Sequence, residues 1–236
     1  VYEGDPAWER PPDPRNQANF ERVKAKLTGY ISKPSVTLRK YPETDQSIPA
    51  LYARAYAYHS NARVDLALDA ADQLLAKDPA DPYFLELKGQ VLLESGRPHE
   101  ALDPLRRATA MTNAEPLIAS LFGHALIATE DDGNFEEAER VLRAAVGRDR
   151  RNPFAWYQLG VVYAARGDTA RARLASAEQQ VMNRQYGLAL RSAQAAEYGL
   201  EHGTPDWIRA QDIGMQARAL LERQCEMERG RDCAPG

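Results

Sequence analysis

The 236-residue chain carries 30 basic against 34 acidic side chains, a formal net charge of −4, with 44% of its residues apolar and 8% aromatic. That near balance excludes the strongly basic surface that nucleic acid demands, and no run of 18 apolar residues exists to cross a membrane as a helix. The apolar fraction suffices for a core, and the length allows either two ordinary domains or one elongated one.

The chain begins at Val1 without a signal-peptide pattern, as expected of a mature fragment or a trimmed chain. Asp5 to Pro14 is rich in proline and charge and reads as an extended linker. Phe20, Val23, Leu27 and Tyr30 recur at helical spacing, which predicts a short amphipathic helix. Pro34 to Pro42 reads as a loop wrapping onto the chain that starts at residue 48. Residues 1–47 therefore stand apart from the rest.

Beyond them the chain repeats. Ala67, Ala101, Ala138 and Ala172 occupy matching places in similar segments, at steps of 34, 37 and 34 residues. Ala55, Gly89, Gly123 and Gly160 form a second series, at steps of 34, 34 and 37. Both series take the same three-residue insertion, which falls in the polar turn Thr129 to Asn134. A 34-residue period with Trp, Leu-Gly, Tyr and then Ala is the tetratricopeptide signature. The fourth repeat carries it as Trp156, Leu159, Gly160, Tyr163, the turn Gly167-Asp168, and Ala172. Small side chains at Gly160 and Ala172 let paired antiparallel helices approach, while the large ones fill the space between pairs.

One pair cannot bury its apolar face alone, so the expected fold is all-α, a right-handed superhelical solenoid of stacked helix pairs. Four repeats are expected at 48–81, 82–115, 116–152 and 153–186. Asp78-Pro79, Asp81-Pro82 and Asn152-Pro153 supply helix starts, and Gly96 and Gly167 supply ends of first helices. Residues 187–202 and 205–224 read as a less regular pair, with Trp207 and Ile213 on one face. Residues 187–236 then serve as a terminal cap and tail.

Catalytic chemistry is missing from the pattern. His59, His99, His124 and His202 lie outside metal-ligand spacing of one another, and neither H-E-x-x-H, G-x-S-x-G nor a phosphate-binding glycine loop occurs. Glu136, Glu137 and Glu139 sit at a helix start, where acids favour the helix dipole. Cys225 and Cys233 are the chain's two cysteines. They form one disulfide in an oxidising compartment or remain two unpaired tail thiols.

The binding surface follows from the repeat phase. In a tetratricopeptide pair the first helix lines the groove with positions two, five, nine and twelve. Those positions are Tyr52, Tyr56 and His59 in the first repeat, and Tyr83, Glu86, Gln90 and Leu93 in the second. The third gives Leu117, Ser120, His124 and Ile127; the fourth gives Phe154, Tyr157 and Val161. Such a surface suits an extended or helical polypeptide, with packing inside the fold as the alternative role for each residue. For His124 in particular, the ordinary role is a hydrogen bond within the fold. The groove lacks the repeated Lys and Asn that grip a C-terminal carboxylate, against a heat-shock co-chaperone.

Residues 46–59 (QSIPALYARAYAYH), 82–102 (PYFLELKGQVLLESGRPHEAL) and 122–128 (FGHALIA) together resemble the tetratricopeptide tail of bacterial periplasmic zinc metallopeptidases. That group includes the beta-barrel assembly-enhancing protease. Residues 20–30 (FERVKAKLTGY) resemble the helix that joins protease and tail there, and the likeness spans roughly residues 20–215. The resemblance implies a substrate- or partner-recruiting role in outer-membrane protein quality control, a periplasmic address, and pairing of Cys225 with Cys233. The partners implied are protein segments, including a peptidase domain and outer-membrane assembly machinery. The family's H-E-x-x-H and later glutamate have no counterpart here, so zinc would belong to a missing peptidase domain and no cofactor is expected in this chain. The alternative is a stand-alone, cytoplasmic scaffold or assembly adaptor. A carrier of a small hydrophobic ligand is a third reading, weakened by a lining that is only partly apolar.

Overall fold

A computed structural model describes residues 13–229. The described residues form twelve α-helices and one short 3-10 turn, Asp132–Asn134, without a strand. They fall into two compact units divided between Gly96 and Arg97.

The first unit contains α1 (Pro14–Ile31), α2 (Pro34–Lys40), α3 (Ile48–Ser60), α4 (Val64–Lys77) and α5 (Pro82–Glu94). Its core joins Leu51, Tyr52, Ala55 and Tyr56 of α3 to Ala67, Ala71 and Leu74 of α4 and Phe84, Leu87 and Val91 of α5. The region expected as a loop is α2 over most of its length. Pro34 opens it at the first turn, and the buried Thr37 hydroxyl donates to the Thr28 carbonyl at 3.1 Å. Flanking prolines concealed that helix, because each reads equally as a loop boundary. The loop that does wrap α3 comes after α2. Arg54, almost fully buried, donates to the carbonyls of Pro42 and Asp45, both at 2.7 Å, and Tyr58 donates to Glu43 at 3.0 Å.

The second unit contains α6 (Pro98–Met111), α7 (Pro116–Ala128), α8 (Phe135–Arg148), α9 (Pro153–Ala165), α10 (Thr169–Met182), α11 (Tyr186–Gly199) and α12 (Pro205–Arg229). Each helix packs on its neighbour in sequence, and α7 also touches α9, so the first helices of successive pairs lie side by side. Arg209 of α12 forms a bidentate pair with buried Glu178 of α10, at 2.5 and 2.9 Å. The predicted acids at the start of α8 bridge between helices: Glu137 accepts both arms of Arg106, and Glu139 pairs with Arg166.

Local punctuation accounts for most boundaries. Asp81 accepts from the amides of Tyr83 and Phe84 at 2.8 and 3.3 Å, and Asn152 caps α9 through Ala155 at 3.0 Å. Asp78, expected as an N-cap, instead closes the C-terminus of α4 and accepts from Ala80 in the adjoining turn. Between paired helices the chain makes one left-handed residue, at Ala62, Gly96, Glu130 and Gly167. These four keep the repeat period, so the turn geometry is part of the repeat even where glycine is absent.

Gly160 is less constrained than its place in the signature implies. A Cβ there would meet Ala175 and Ala172 at 3.5 and 3.6 Å, ordinary contact, whereas one on Gly123 would lie 2.5 Å from Leu142. At the far end, α12 runs 25 residues against 14 for α11. Leu188, Tyr198 and Met215 stand exposed on this last pair.

Candidate functional site

In the first unit α1 lies against the predicted groove residues Tyr56 and Glu86, while Tyr83 remains 41% exposed. Tyr52 and Tyr56, expected to face a partner, are only 2% and 3% exposed. Their rings meet edge-to-face at 5.6 Å, and Tyr56 meets Tyr30 of α1 the same way at 6.2 Å. Burial, reinforced by nearby carboxylates, pushes both hydroxyls far above the ordinary tyrosine range, so these two side chains stay neutral. Tyr56 donates to Gln90 at 3.4 Å, Gln90 donates to Glu94 at 2.8 Å, and His59 meets Glu94 at 2.7 Å. The predicted groove residues of α3 and α5 are thus brought together, but as a mutually bonded floor. Sequence phase gave no signal that the chain's own helix lies over Tyr52 and Tyr56.

The negative charge of this groove is engaged by α1. Asp81 uses one carboxylate oxygen for its cap and offers the other to Arg22 at 2.5 Å, while Glu86 accepts from Lys26 at 3.4 Å. The Arg22 guanidinium stands 5.0 Å from the centre of the Tyr83 ring, and the Lys26 ammonium 5.7 Å from that of Tyr56.

The second unit presents the corresponding face uncovered. Leu117, Phe154 and Tyr157 are all exposed, and His124 of α7 lies edge-to-face with Phe154 of α9 at 5.5 Å. Ser120, also expected at this surface, is buried and accepts from Asn152 at 3.1 Å. Tyr157, Gly160 and Val161 of α9 line a recess of about 350 Å³ together with Arg173 and Gln179 of α10. An additional cleft of about 530 Å³ runs among α8, α9, α10 and α12, with Trp156, Leu159 and Ile208 along it. Its Arg171 and Arg209 are already paired, with Asp206 and Glu178. The signature Trp156 could have pointed to this cleft, but only the return of α12 forms its far wall.

Among the described residues no three His, Cys, Asp or Glu side chains converge on a metal position. Cys225 is disulfide-bonded; Cys233, its expected partner, lies outside the described residues. What the two units offer chemically is apolar and aromatic surface with a few fixed charges, suited to holding polypeptide.

These helix pairs, their 34-residue register and their lined faces define an all-helical repeat protein built for protein–protein contact. The tetratricopeptide repeat family model matches residues 52–116 and 128–186, just over half of the sequence, and the chain belongs to that family. No curated protein matches it in sequence. Among solved structures, MamA (41-end) from Desulfovibrio magneticus RS-1 is similar with a TM-score of 0.59 at 21% identity, covering 72% of this chain and 97% of that one. YrrB, described as a TPR protein with an unusual peptide-binding site, is similar with a TM-score of 0.57 at 22% identity, covering 77% of this chain and 94% of that one. At such identities the likeness is one of fold.

Proposed function

We propose that this chain is the partner-recruiting tail of a periplasmic zinc metallopeptidase acting in outer-membrane protein quality control, and that the open face of α7 and α9 captures the recruited polypeptide. The observation that carries the capture role is the exposed set Leu117, Phe154 and Tyr157 on that face, since grouped exposed apolar residues mark binding surfaces. A peptide-binding site described for the similarly folded YrrB is consistent with it. The peptidase connection rests on the resemblance of residues 20–30, 46–59, 82–102 and 122–128 to the tails of that group. A disulfide at Cys225 fits an oxidising compartment.

The double variant Phe154→Ala with Tyr157→Ala tests the capture role by affinity capture from a periplasmic extract. At least a tenfold loss of captured outer-membrane assembly proteins is expected, with unchanged helical content. Undiminished capture would move the site off this face. Reading the codons upstream of Val1 tests the attachment. An in-frame H-E-x-x-H supports the peptidase tail, and a start codon directly before Val1 leaves a stand-alone scaffold.

A further inference from the structure

Helix α1 is seated the wrong way round for an ordinary amphipathic helix. Its apolar residues Phe20, Val23, Leu27, Tyr30 and Ile31 are all more than half exposed, although burying such a stripe is what normally docks a surface helix. The side that meets α3 and α5 is Arg22, Ala25, Lys26 and Gly29, spaced so that all four share one face. Two are cations and two are small.

Each has a counterpart. Ala25 is fully buried. Gly29 lies so close to α3 that a Cβ would come 2.6 Å from the Ala53 carbonyl oxygen and 2.9 Å from the Tyr56 Cβ. Small residues therefore let two helix backbones approach, and the cations anchor the ends of the contact. Arg22 reaches Asp81 and Lys26 reaches Glu86, both acids less than one-sixth exposed, over the rings of Tyr83 and Tyr56. The recognition is mainly electrostatic and steric, and of the five outward apolar side chains Tyr30 alone is seen against the floor, edge-to-face with Tyr56.

We propose that the α3–α5 face is a recognition site for cationic helices of the pattern Arg/Lys-x-x-Ala/Gly-Lys/Arg-x-x-Gly/Ala, with α1 as its resident occupant and a helix of a partner protein as the competing one. Charge complementarity selects the ligand: Asp81 and Glu86 supply fixed negative charge beside a neutral aromatic floor, and an acidic or bulky-faced helix meets repulsion or a backbone clash. Release of α1 exposes little additional apolar surface on that helix, since its apolar stripe is already in solvent. Because α1 is tethered to the groove it occupies, its effective concentration is high, and a partner helix displaces it by matching the same charges more tightly or by being abundant. This site lies in the first unit and stands independently of the capture face on α7 and α9.

The probe is a labelled peptide of residues 14–31 carrying Phe20→Ala, Val23→Ala and Leu27→Ala, which keeps the inward face and differs in mass from α1. In the full chain, Arg22→Glu with Lys26→Glu should free the groove and raise peptide affinity at least tenfold over the unaltered chain, in fluorescence anisotropy at low salt. The gain should shrink as salt rises, and a peptide with its own two cations reversed should not bind. A charge-reversed chain that keeps its helical content and still ignores the peptide would overturn the proposal, as would binding indifferent to the peptide's cations. The unaltered chain gives a second measurement in case the variant misfolds. Saturating peptide should speed amide hydrogen exchange in residues 18–30 at least tenfold, and unchanged exchange at saturation would also overturn it. A dimer of the unaltered chain that the peptide dissolves would assign the groove to the α1 of a second copy instead of a partner's helix.

Discussion

Tyr52 and Tyr157 occupy the same position of the repeat, three repeats apart, and their surroundings differ completely. Tyr52 is 2% exposed beneath the first unit's α1, whereas Tyr157 is 54% exposed on the second unit. The repeat places both on the face of a first helix; chain outside the repeat covers Tyr52, whereas Ser120, at the same position, is buried within the repeats against Asn152. A tetratricopeptide position therefore specifies direction, while neighbouring segments decide whether that direction leads to solvent or to core.

The largest expected effect breaks this equivalence directly. Tyr52→Ala removes a buried aromatic ring and should cost about 3–5 kcal/mol, as for large-to-small core changes. Tyr157→Ala should stay within about 0.5 kcal/mol, as exposed substitutions do. Urea titration of both variants checks it, and equal losses would mean that α1 does not cover Tyr52 in solution. A second pair compares two glycines of one series. Gly123→Ala forces a Cβ into Leu142 and should cost about 1–3 kcal/mol, whereas Gly160→Ala meets only ordinary contacts and should be neutral or slightly stabilising through helix propensity. An unchanged melting temperature for Gly123→Ala would show that α7 and α8 approach each other less closely than these distances require. The smallest effect concerns the turns. Glu130 holds a left-handed conformation where the equivalent positions 96 and 167 are glycine, so Glu130→Gly should gain roughly 0.5–1 kcal/mol, read as a rise in melting temperature. A fall would mean that the added freedom of the unfolded chain outweighs the relieved strain.

The repeat register, the helix pairs and most caps were legible because each depends on local chemistry: a capping side chain, a proline in the first turn, a small residue at fixed spacing. The same register is what assigned Tyr52, Tyr56, Tyr83, Glu86 and Gln90 to one face. The helix α2 was hidden, since its seven residues are held by distant partners: Leu38 packs on the core around α3, and Thr37 bonds the Thr28 carbonyl of α1. The cleft beside Trp156 was hidden too, because Asp206, Ile208 and Arg209 return to it from some fifty residues later in the chain.

The sequence by itself determined an all-helical tetratricopeptide fold and the phase of its faces, because a 34-residue period and helical spacing are properties of neighbouring residues. It also determined that residues 20–30 form an amphipathic helix. Only the tertiary structure decided which side of that helix turns inward. Apolar periodicity favours burying Phe20, Val23 and Leu27, but the available surface offers Asp81, Glu86 and close backbone contact at Ala53. Long-range charge and steric fit at that surface outweigh the local pattern, and neither can be read from the helix alone.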